Sequence, residues 1–98
     1  MTRRLSNAQM HRKRYSACFF CGHDNAAELD THRIFPGEKG GKYDREGRNL
    51  ICACAGCHRK LTVGTIIVDR KYPSSTGHWV VHYWADGQEK WVPEVLKM

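Results

Sequence analysis

Long apolar runs are missing from this chain. No stretch approaches the roughly 20 consecutive apolar residues that a membrane-spanning helix needs. Residues 1–15 are basic and carry no apolar segment of the kind a secretion signal requires. The expectation is a soluble chain of a reducing, cytoplasmic compartment with no membrane partner. Internal repeats and low-complexity tracts are also missing, which excludes solenoid arrays and compositionally disordered regions. Acidic residues are in short supply, 10 against 16 Lys and Arg, leaving a net charge of +6. That imbalance favours a polyanionic partner, with nucleic acid as the leading candidate. An even cysteine count is missing too: five cysteines cannot close a full disulfide framework.

What is present turns on those cysteines. A chain of 98 residues buries too little apolar surface for comfortable stability, so a staple is expected. Cys18-Phe-Phe-Cys21 and Cys54-Ala-Gly-Cys57 are two CxxC pairs, which in a reducing compartment read as metal ligands rather than disulfides. A two-residue gap lets both sulfurs of a pair reach one ion, and four thiolates complete a closed tetrahedral Zn²⁺ site. Cys18, Cys21, Cys54 and Cys57 are therefore the expected structural zinc ligands. Cys52, two residues before Cys54, reads as a small buried residue outside the set. Thiolates committed to zinc are poor redox centres, which argues against a redox role.

One domain, 1–98, is expected, in three parts. Residues 1–15 form a basic arm, helical around 7–14, with too few apolar positions to dock firmly. Residues 16–64 hold the metal-binding core: a knuckle at 16–22, a short strand at 28–35, a loop at 36–48, a second strand at 49–52, and a helix at 56–63 stopped by Gly64. Residues 65–98 are rich in β-branched and aromatic residues and read as a three-stranded meander. Its Trp79, Tyr83, Trp84 and Trp91 are expected to build core more than to read a groove.

Between the two pairs lie His32 and Asn49, and His58 follows Cys57 at once. If Cys57 faces the structural ion at a helix start, His58 is turned about 100° away from it. It then faces the strand carrying His32, which shares a strand face with Asp30. Two histidines on facing elements can bind a divalent ion with positions left open, and an asparagine can pin the intervening loop. His11 and His23 read as surface residues.

In this order and spacing, Cys18-x-x-Cys21-Gly22, Leu29-Asp-Thr-His32-Arg33-Ile-Phe-Pro36-Gly37, Gly40-Gly41, Asn49-Leu-Ile51 and Cys54-x-x-Cys57-His58-Arg59 resemble the HNH endonuclease family. The resemblance covers a little under half of the chain. It implies an α+β fold: a zinc-stabilised treble clef enclosing a ββα-metal (His-Me finger) motif, here extended by the C-terminal antiparallel meander. It also implies metal-dependent hydrolysis of DNA phosphodiesters with Mg²⁺ or another divalent ion, in stand-alone nucleases often met in phages and mobile elements, as monomer or homodimer. Carried over, His58 is similar to the helix histidine that binds the catalytic ion, and Asn49 to the asparagine that holds the loop. The family's adjacent pair, a metal ligand followed by a general base, is represented by His32-Arg33.

Arginine cannot accept a proton at physiological pH, so the pair departs from the pattern. Three readings stay open. In the first, His32 is the base and Asp30 helps His58 hold the ion. In the second, His32 binds the ion and Arg33 clamps the phosphate. In the third, the chain is a noncatalytic zinc module that binds nucleic acid without cutting it. Arg45 and Arg48 in the loop, with Arg59 and Lys60 on the helix, are the expected backbone contacts.

Overall fold

Two short strands form the centre of the site-bearing half. In the computed structural model, which describes residues 6–38, 42 and 47–95, β1 (Leu29–Arg33) pairs antiparallel with β2 (Leu50–Cys54), Leu29 opposite Cys54 and His32 opposite Ile51. Every β2 residue from Leu50 to Ala53 is buried, so both faces of this hairpin are covered. Helix α1 (Asn7–Arg14) contacts both strands, and so does α2 (Ala55–Val63). The second sheet is the meander β3 (Ile66–Pro73), β4 (Trp79–Ala85) and β5 (Gln88–Glu94), all antiparallel, so that the described residues form an α+β architecture in which α1 and α2 accompany two sheets.

Local chemistry accounts for these boundaries. Ser6 and Gln9 form a reciprocal capping box, each side chain bonded to the other's backbone N–H, which starts α1. Cys54 caps α2 through its sulfur, and Gly64, at φ 87°, ends it where a side chain would be strained. Asp86 and Gly87 both take positive φ, the type I′ geometry that lets a two-residue loop join β4 to β5.

The core joins the two halves. Ile51, Cys52 and Ala53 of β2 pack with Cys18, Leu29 and Cys57, and with Ile66, Val81 and Tyr83 of the meander. The phenylalanines inside the first cysteine pair carry this junction: Phe19 and Phe20 meet Tyr83 edge-on, at ring-centroid distances of 5.7 and 5.2 Å. Of the meander aromatics, Tyr83 is buried, Trp79 and Trp84 are half-buried, and Trp91 lies on the outer face.

Two expectations need correction. His11 is buried rather than on the surface, and α1 is docked, not loosely attached. The docking escaped the apolar pattern because polar groups make it: His11 meets Glu94 of β5, and Thr31 Oγ1 donates to the Ala8 carbonyl.

A β-bulge in β3 has the larger consequences. The register slips between Val68, opposite Tyr83, and Arg70, opposite His82, leaving Asp69 as the extra residue. Strict alternation from Ile66 and Val68 would send Arg70 inward and Lys71 outward. The bulge reverses both. Lys71 is fully buried, its Nζ 2.6 Å from Glu94 Oε1 of β5 and donating to the Gly47 carbonyl at 2.8 Å. His11 Nε2 lies 3.6 Å from the other Glu94 oxygen, so one buried carboxylate links α1, β3 and β5. Burial pulls the Lys71 and His11 pKa values below their ordinary ranges, against the opposing pull of Glu94.

Candidate metal centre and its histidine pair

The four cysteines of the two CxxC pairs come together. Cys18, Cys21, Cys54 and Cys57 place their sulfurs within 4.8 Å of one another, and Cys21 Sγ lies 3.6 Å from Cys54 Sγ. Backbone geometry builds this cluster. In the first knuckle the Cys18 N–H donates to the His23 carbonyl and the Gly22 N–H to the Cys18 carbonyl, while the Phe19 N–H fastens the turn to the Cys52 carbonyl of β2. The second knuckle is the first turn of α2, where unpaired amides and the helix dipole favour thiolate. The Cys57 amide approaches Cys54 Sγ at 3.5 Å and pulls that thiol down to about 7. Burial among the other sulfurs pushes Cys57 the opposite way. A quartet of this kind can hold a metal ion.

Cys52 is outside the quartet, as expected. It is buried on β2, where desolvation raises its thiol to about 11.

His32 and His58 face each other across the hairpin and α2, with ring centroids 5.5 Å apart and planes inclined by 64°. His58 Nδ1 lies 3.7 Å from Asp30 Oδ2. The structure thus places His32, His58 and Asp30 on one side of β1, with His58 directly following Cys57 in α2. Partial burial lowers the His32 pKa, helped by the neighbouring His58 and opposed by Asp30. Among the described residues, only the cysteine quartet brings three or more candidate metal-binding atoms within 4.8 Å, so the histidine side is the more open arrangement.

Asn49 ends the turn that leads into β2 and is fully buried. Its Oδ1 accepts from the Phe35 N–H at 2.6 Å and its Nδ2 donates to the Phe35 carbonyl at 3.0 Å. The Ile34 N–H also reaches the Asn49 carbonyl. One side chain therefore bonds both backbone groups of Phe35, two residues past the end of β1.

The cationic residues divide. Arg59 and Lys60 are exposed on α2 and Arg33 is half-buried on β1. Arg48 is half-buried, its Nε donating to the Lys71 carbonyl and its guanidinium 5.3 Å from the Trp79 ring centroid. Arg45 lies outside the described residues. Sequence reasoning missed Arg70, whose guanidinium is 5.9 Å from the Phe35 ring. Its signal was hidden by the bulge, which a period-two pattern does not anticipate.

Comparison with protein-family models, with curated proteins and with solved structures finds no match to this chain.

Proposed function

We propose that this chain is a metal-dependent endonuclease of the HNH type that hydrolyses DNA phosphodiester bonds, built on a treble-clef zinc site. The observation that carries the reading is the facing of His32 on β1 and His58 on α2, ring centroids 5.5 Å apart, with His58 directly following a cysteine of the four-cysteine cluster. The asparagine that fixes the intervening chain adds to it. Zinc suits the quartet: sulfurs about 2.3 Å from a tetrahedral ion sit about 3.8 Å apart, close to the 3.6 Å between Cys21 and Cys54. In this role Cys18, Cys21, Cys54 and Cys57 are structural.

In this reading His58, with Asp30, would hold a divalent ion such as Mg²⁺. When bound, that ion supplies a Lewis acid for the charge that builds on the leaving oxygen. His32 takes the proton from the attacking water. Arg33 cannot share that task, since guanidinium holds its protons, and it serves the phosphate instead. Asn49 keeps Phe35 and the adjoining end of β1 in place, so His32 does not drift from its working position. Arg48, Arg59 and Lys60 contribute backbone contacts that give affinity without sequence choice.

The test is nicking of supercoiled plasmid by zinc-loaded protein with Mg²⁺, Mn²⁺ or Ni²⁺, beside an EDTA control. His32→Ala should lower the rate by about 10²–10⁴-fold, the range for loss of a general base. A second reading, a zinc module that binds nucleic acid without cutting it, draws on Arg33 standing where the family carries a base. Salt-sensitive duplex binding without nicking under any of the three ions would replace the first reading with the second.

A further inference from the structure

The bulge in β3 turns Arg70 outward toward Phe35, while Arg48 approaches from the turn before β2. Together with Asn49 the three line a small cleft of about 70 Å³. The cleft is small and open to solvent, and the two guanidiniums on its lining suit the oxygens of an anionic group. Each guanidinium rests near an aromatic ring, Arg48 by Trp79 and Arg70 by Phe35, which limits its freedom before any ligand arrives. The wall at Phe35 is also fixed, because Asn49 bonds both backbone groups of that residue. Asp69 meets Arg70 through Nε at 3.5 Å, and the arginine side chain remains 52 % exposed. A guanidinium carries five N–H donors, so that contact leaves its fork-like chemistry suited to an oxyanion.

We propose that Arg48 and Arg70 form a phosphate subsite separate from the histidine pair, and that it takes a backbone phosphate flanking the one at His32 and His58. The inference rests on the reading of DNA as the partner. Phe35 is three residues beyond His32, at most about 10 Å along an extended chain. Successive phosphates of one strand advance about 3.4 Å along the duplex axis. Because successive phosphates also turn about that axis, their through-space spacing is well above the rise, so the subsite is within reach of the phosphate next to the reacting one, and it holds the strand in register while contributing nothing to bond breaking.

The test uses the full zinc-loaded chain and a 20-base-pair duplex without added magnesium, with binding measured across a salt series. Arg70→Gln should reduce the slope of log Kobs against log salt by about 0.9, one phosphate contact. Arg70→Lys, which keeps the charge, should restore most of that slope. In parallel, inorganic phosphate is titrated while NMR follows the arginine Nε–H signals. Those of Arg48 and Arg70 should move together with the Phe35 and Asn49 amides. An unchanged slope for Arg70→Gln in a wild type that binds duplex overturns the subsite alone. So do phosphate shifts spread evenly over exposed arginines. A wild type that binds no duplex overturns the DNA reading and the subsite together. A slope lowered by about 0.9 in Arg70→Gln, in a protein that never nicks, supports the subsite and removes only the nuclease reading.

Discussion

Replacing Lys71 by Met should be among the most damaging single changes in this protein. The side chain is fully buried, 2.6 Å from Glu94, and holds the Gly47 carbonyl two residues before Asn49. Methionine fills much of the same space but leaves a buried carboxylate without its cation. Breaking one partner of a buried ion pair costs about 3–5 kcal/mol. Domains of this size have only about 5–15 kcal/mol in total. At about 4–8 °C per kcal/mol, the unfolding midpoint should fall by at least roughly 12 °C. The assay is thermal unfolding at fixed zinc concentration, since bound ligand shifts the midpoint by itself. The double variant Lys71→Met/Glu94→Leu removes both charges and should recover most of the loss, because the penalty lies in the stranded ion and not in the missing contact. A single variant that loses less than about 1 kcal/mol would refute the reasoning. A double variant no better than the single would do the same.

Two further outcomes follow from the same geometry. Asn49→Ala removes both hydrogen bonds to Phe35 and should cost about 1–3 kcal/mol by urea unfolding with the m-value unchanged. His82 lies between two carboxylates, Nδ1 2.9 Å from Asp69 and Nε2 2.7 Å from Glu89, which favour the protonated ring and raise the imidazole pKa. Its contribution is complete below the unfolded imidazole value of about 6.5 and is lost as pH climbs through the higher folded value. The stability gap between wild type and His82→Gln should therefore shrink above neutrality, and a gap flat across that range would count against the bridge.

How much of this was legible in the residues depends on which pattern each residue obeyed. The cysteine quartet and the His32–His58 pair were legible because fixed spacing and known helix and strand periods determine where such side chains point. The α2 stop at Gly64 and the three-stranded meander followed from turn chemistry. Lys71 and Arg70 were not legible, because one extra residue in β3 exchanges inside for outside, and nothing in a period-two reading marks where a bulge falls. His11 escaped for a different reason: its burial brings it against Glu94 of β5, a contact far along the chain that no local pattern reports. The role of the filler in the first CxxC pair was equally hidden, since Phe19 and Phe20 find Tyr83 more than sixty residues away.

The central claim is that one ion site holds the fold and a second, separate one does the chemistry. Zinc content and plasmid nicking measured on the same preparation of His58→Ala test it most directly. The account predicts a folded protein that retains one zinc per chain and nicks at below about 1 % of the wild-type rate, a direct ligand counting for more than the 10–100-fold typical of outer partners. Cys57→Ala should instead lose zinc and unfold together. Loss of zinc from His58→Ala, or nicking that survives undiminished, would contradict the division into two sites.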